Sequence, residues 1–159
     1  MSENLPSNPR ELTLTRVIPV KARHLFDCWT KPELITKWFT PPPFTVSHAE
    51  TDLRPGGSTL IVMRSPEGVE IPNRGVYLEV VPDQKLVFTD AYTEAWIPSE
   101  KPFMTATIEF LDQGDGTTLY KATVVHWTVE DKEEHERMGF HAGWGIATDQ
   151  LAALAACLG

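Results

Sequence analysis

Two periods of hydrophobicity run along this chain. Leu12, Leu14, Arg16 and Ile18 mark alternate positions of a first strand that ends at Pro19. Ala22, Leu25, Phe26 and Trp29 then recur at helical spacing. Pro32 opens a second short helical stretch, residues 32–37, because proline suits the first position of a helix. Pro41, Pro42 and Pro43 close it. From residue 44 the period returns to two. Residues 44–53, 58–64, 74–81, 85–92, 103–111 and 117–127 read as strands joined by short turns, the pattern of an antiparallel meander. At Arg54-Pro55-Gly56-Gly57 proline presets φ for the second turn position and glycine takes the positive φ of the third, a type II turn signal. A longer loop, residues 93–102, carries Trp96.

The remaining segment predicts one long helix. Thr128 followed by Asp131 resembles a capping box, and Glu130, Asp131, Glu133 and Glu134 place negative charge where the helix dipole favours it. Phe140, Trp144, Ala147, Leu151, Leu154 and Leu158 then form a continuous apolar stripe, for which the sheet is the available surface. The expected fold is α+β: a curved antiparallel sheet, two short helices and a long C-terminal helix.

A length of 159 residues, 42% hydrophobic and 23% charged, suits a single domain with its own core. Residues 11–159 are read as that domain and residues 1–10 as a disordered lead-in. The net charge of −8 argues against nucleic acid and anionic membrane surfaces as partners. No apolar run approaches the roughly 20 residues that span a bilayer, and the N-terminus lacks the pattern of a secretory signal, so the cytoplasm is the expected location. Cys28 and Cys157 lie far apart without CxxC spacing and read as free, buried thiols.

Local motifs narrow the fold. Phe26, Trp29, Thr30, Pro32, Glu33, Trp38 and Phe39 form one; residues 52–57, 75–82 and 116–119 form three more. Met138-Gly139-Phe140 and Gly143-Trp144, followed by Asp149-Gln150-Leu151, form the last. In this order they resemble the START-like (SRPBCC, helix-grip) superfamily, and within it the bacterial single-domain branch of proteins similar to the C-terminal domain of the activator of the heat-shock-protein-90 ATPase. The resemblance spans roughly residues 11–158. It implies a cavity between helix and sheet that holds apolar molecules in relatives, and a link to stress response. It leaves open a homodimer. Eukaryotic activators carry a separate N-terminal domain that engages the chaperone, so chaperone contact is not expected from this domain alone.

The residues themselves supply candidates for such a cavity. In the last strand Tyr120, Ala122, Val124 and His126 share one face; Met104, Ala106, Ile108 and Phe110 match them in the strand before, and Thr59, Ile61 and Met63 in an earlier one. The ligand-facing set is read as Trp38, Met63, Tyr92, Trp96, Met104, Tyr120, His126, Phe140, His141 and Trp144, apolar walls with a few polar groups. Leu25, Phe26 and Trp29 are read as core. Gly139, Gly143 and Gly145 each cost a helix about 1 kcal/mol relative to alanine, so either close backbone packing or open space above the sheet must account for them. HERMGFH is not the HExxH zinc arrangement, and no catalytic triad or phosphate loop can be assembled; no metal, cofactor or catalytic residue is assigned. The reading that follows is binding of a small hydrophobic molecule. One alternative is a cyclase- or hydratase-like enzyme using His126 or Tyr120 as proton carrier; another is a chaperone-related partner-binding protein.

Overall fold

The computed structural model describes residues 9–93 and 95–158; the lead-in through residue 8 lies outside the described residues. The chain starts at one edge of a sheet with β1 (Glu11–Ile18), and α1 (Ala22–Thr30) and α2 (Pro32–Trp38) carry it to the opposite edge. From there β2 (Thr45–Thr51), β3 (Ser58–Arg64), β4 (Glu70–Val81), β5 (Lys85–Thr89), β6 (Met104–Asp112) and β7 (Thr118–His126) meander back. The resulting order is β1-β7-β6-β5-β4-β3-β2, antiparallel throughout, with the first strand paired to the last. Register shifts at Val46/His48 and Tyr77/Glu79 mark bulges, which bend and twist a sheet locally.

Each expected strand is present, with β4 reaching four residues further back than expected, to Glu70, and β5 ending three residues earlier, at Thr89. The C-terminal helix does not run unbroken. It divides into α3 (Val129–Arg137) and α4 (Phe140–Ala156). Gly139, at φ 98°, adopts the left-handed conformation that ends helices and that a Cβ disfavours. At the start of α3, Thr128 Oγ1 accepts from the Asp131 amide at 3.0 Å, as the capping pattern predicts.

The core lies between the inner face of the sheet and α1, α2 and α4. Tyr120, Ala122, Val124 and His126 of β7 are buried, as are Ala106, Ile108 and Phe110 of β6. Leu25, Phe26 and Trp29 pack against them from α1, and Phe140, Ala147, Leu151 and Ala155 from α4. Arg16 Nη1 meets Asp149 Oδ1 at 2.8 Å, tying β1 to α4. Gln150 Nε2 donates to the carbonyls of Trp38 and Thr40, tying α4 to α2. Cys28 is buried and Cys157 exposed, both free, which corrects the expectation that both thiols are buried; Cys157 follows the last turn of α4, where little remains to cover it. Among the described residues no helix is long and apolar enough to cross a membrane.

Candidate ligand-binding site

The helices cover the inner face unevenly. α4 packs on α1, α2, α3 and β1, while none of the helices packs substantially on β3 or β4. Register carries the inner face outward from Phe88 to Tyr77, then to Gly75, Asn73 and Ile71 of β4, which lie opposite Thr59, Ile61 and Met63 of β3. Thr51, Ala49 and Val46 of β2 complete it. Tyr77 is buried, whereas Ile61 and Met63 are half-buried and Ile71 is exposed. Ile61, Met63 and Ile71 thus carry apolar surface beyond the point where helices shield the face, interrupted by Asn73 and the threonines. Burial pushes the Tyr77 hydroxyl up to about 12 against the opposing bond from the Thr59 side chain, so it stays protonated there.

The Arg54-Pro55-Gly56-Gly57 turn buttresses this face. Gly57 N donates to Arg54 O at 2.8 Å and Gly56 has φ 83°, as the type II reading requires. A Cβ on Gly57 would collide with the Asp52 carbonyl. Gly56 and Gly57 exchange backbone bonds with Tyr77, and Gly56 O accepts from the Ala95 amide at 2.9 Å. The turn thus holds the loop between β5 and β6 in place. There Trp96 stands edge-on to Tyr92 with ring centroids 5.5 Å apart and is 56% exposed.

Where β7 hands over to α3, an imidazole pair sits inside an aromatic cluster. The His126 amide and Nδ1 both meet the Arg10 carbonyl, at 2.9 and 2.8 Å. A carbonyl only accepts, so Nδ1 of His126 carries the proton. Its Nε2 lies 2.8 Å from Nδ1 of His135. Burial, reinforced by His126, pushes His135 down to about 4, so it is neutral at pH 7. His126 is 1% exposed with no ion pair to it among the described residues, and a buried charge without a partner is costly, so its Nε2 accepts, Nδ1 of His135 carries the proton of this bond and Nε2 of His135 is left as an acceptor. Phe103, Phe140 and Trp144 surround the ring at centroid distances of 5.3, 5.1 and 6.3 Å.

The sequence-derived candidates divide accordingly. His126, Phe140 and Trp144 come together in this cluster, and Met104 joins them by register, opposite His126. Met63 lies on the uncovered inner face, and Tyr92 and Trp96 pair in the loop beside it. Three candidates sit elsewhere. Trp38 is core, its Nε1 donating to the Cys28 carbonyl at 2.8 Å and its ring against Trp29. The Tyr120 hydroxyl is sealed in the core, accepting from Trp29 Nε1 at 3.1 Å, and burial raises its ionisation far above the usual phenol. A proton carrier needs access that this position lacks. His141 is exposed, 3.7 Å from the Glu136 carboxylate.

His135, Phe103 and Tyr77 were absent from the predicted set. Tyr77 was legible, because alternation along β4 puts it on the face of Gly75. His135 was not: its partner His126 lies across the turn from β7 into α3, outside any helical spacing.

The three glycines have three different reasons. Gly139 supplies a left-handed turn. A Cβ on Gly145 would stand 3.1 Å from Arg16 Nη2, so that glycine makes room for the β1 side chain. A Cβ on Gly143 would meet nothing within 4 Å. Gly143 is one turn from Phe140 and adjoins Trp144, so the helix is open beside the cluster. Two surface hollows lie elsewhere: an open one of about 760 Å³ beside Lys21, Arg23, Asp83 and Gly114, and a smaller one of about 120 Å³ beside Arg16 and Asp149. No group of three or more metal-ligating side chains occurs among the described residues.

Comparison with known proteins agrees with this architecture. The family model described as Activator of Hsp90 ATPase homolog 1-like protein matches residues 19–156. A crystal structure of a protein from Nitrosomonas europaea is 39% identical, covers 94% of this chain and 96% of its own, and superposes with a TM-score of 0.89. A Mycobacterium smegmatis protein is 24% identical with a TM-score of 0.76, covering 92% and 90%. A Rhodobacter sphaeroides protein is 19% identical with a TM-score of 0.81, covering 97% of both chains. The last two show the fold alone. No functionally curated protein matches the sequence significantly.

Proposed function

This chain belongs to the Activator of Hsp90 ATPase homolog 1-like family, and from that premise we propose that it binds a small hydrophobic molecule against the inner face of the sheet. The molecule lies between β3–β4 and the N-terminal part of α4. One observation carries the reading: the apolar inner face continues past the helices at Ile61, Met63 and Ile71, while α4 presents a glycine, Gly143, with no atom within reach of a Cβ. An exposed apolar surface rimmed by few polar groups favours an apolar occupant. The polar side chains on that face, Tyr77, Thr59 and Asn73, carry no charge at pH 7, which favours a neutral occupant. The reading requires no metal and no cofactor.

Native mass spectrometry of protein purified without detergent tests it. An adduct that dissociates on unfolding, or stoichiometric uptake of N-phenyl-1-naphthylamine by the stripped protein, is the expected result. A bare polypeptide mass together with no uptake of the probe would refute the proposal.

A further inference from the structure

Besides its apolar wall, the region contains one polar atom whose state is set by a chain of hydrogen bonds. The chain begins at the Arg10 carbonyl, which fixes the proton on Nδ1 of His126. Buried without an ion-pair partner among the described residues, His126 accepts through Nε2, which puts the proton of the 2.8 Å bond on Nδ1 of His135. His135 Nε2 is left with its lone pair and no hydrogen-bond partner among the described residues. His126 is 1% exposed and cannot easily turn away, because its amide is bonded to the same carbonyl. The His135 ring is held edge-on to Phe140 and between Phe103 and Trp144, so its orientation is fixed as well as its tautomer.

Two features make this atom more than a buried structural imidazole. His135 is only half-buried, and the helix opposite it is open at Gly143. An acceptor presented by an aromatic wall selects for a ligand that offers a donor. Burying the acceptor against a purely apolar molecule would leave it unpaired, which is costly.

Resting on the binding reading above, we propose that His135 Nε2 is the polar anchor of the site and that its ligand is an apolar, ring-containing molecule bearing a hydroxyl, alcoholic or phenolic. The hydroxyl donates to Nε2 while the ring packs against Trp144 and Phe140. His126 is a positioning residue that holds the His135 tautomer.

The test compares 2-naphthol with 2-methoxynaphthalene, which has the same ring body and no donor, by isothermal titration. Wild type is expected to prefer 2-naphthol by roughly 2- to 10-fold, the ratio a neutral hydrogen bond gives. His135→Asn retains a donor near the position of Nδ1 and removes Nε2, so it is expected to bind both probes with equal affinity. Imidazole 15N NMR of the wild type, which does not depend on any variant folding, is expected to show a bare Nε2 on His135 whose resonance moves on adding 2-naphthol. Equal affinity of wild type for the two probes would overturn the anchor while leaving apolar binding intact, and so would an Nε2 that proves protonated at pH 7. Binding of neither probe would overturn both.

Discussion

Replacing Gly143 with leucine separates a site from a core. The backbone at this position is ordinary helix, and removing glycine from a helix interior gains up to about 1 kcal/mol. A new Cβ would meet no atom within 4 Å, so the first carbon of the added side chain costs no packing strain. For a domain of this size a gain of that order raises Tm by about 2–4 °C. The remaining side-chain carbons occupy the space beside Trp144 that the ligand would fill. Affinity for N-phenyl-1-naphthylamine is therefore expected to fall by roughly tenfold or more, about 1.4 kcal/mol. Gly145→Leu is the control. Its Cβ would start 3.1 Å from Arg16 Nη2, so Arg16 must leave Asp149 or the helix must shift, and Tm is expected to drop. Thermal melts and probe titrations on the three proteins decide the matter. If Gly143→Leu lowers Tm as overpacking does, by the equivalent of about 1–3 kcal/mol, and leaves probe binding unchanged, the space beside α4 is not a site and the reasoning fails.

Other consequences follow from single contacts. His126→Ala removes the bonds to Arg10 and His135 and leaves a cavity under α3, so urea unfolding is expected to show a loss of about 2–4 kcal/mol. His135 carries a folded pKa of about 4, below the 6.5 of a free histidine, so as pH falls from 6.5 the unfolded chain takes the proton first. Its contribution is complete above pH 6.5 and is lost progressively down to about pH 4. Discounted for the solvent-facing part of the ring, this is worth about 1–2 kcal/mol in denaturant titrations, and His135→Asn should flatten that part of the profile. Iodoacetamide should label exposed Cys157 in the native protein and spare Cys28, which is buried and whose thiol burial pushes up to about 11. Intact mass should show a single adduct until the chain is unfolded.

Much of the fold was legible because strands announce themselves by a period of two. Alternation alone assigned Tyr120, Ala122, Val124 and His126 to the inner face, and their partners on β6 followed from the short turn between them. Proline at Pro32 and the Thr128 cap located helix starts because each acts through its own local geometry. The break at Gly139 was also written in the chain. A glycine after the basic Arg137 is a helix stop signal, but the apolar stripe beginning at Phe140 suggested continuity with the acidic segment before it. The site was less legible. Its polar anchor depends on Arg10, His126 and His135 meeting across a sheet edge and a helix start, and no spacing rule encodes that. Tyr120 and Trp38 looked like cavity residues because aromatic side chains with polar tips serve cores and pockets alike; only their partners, Trp29 and the Cys28 carbonyl, distinguish the two.

Methyl NMR tests the central claim most directly. Of the four methionines, Met63 lies on the uncovered inner face, Met104 lies beside His126, and Met138 is 71% exposed at the helix break. Titrating N-phenyl-1-naphthylamine into protein labelled at the methionine methyls and the tryptophan indoles is expected to shift Met63, Met104 and Trp144 saturably and together, with Met138 unmoved. Shifts confined to Met138 or other surface positions, or no saturable shift at Met63 and Met104, would contradict binding against the sheet.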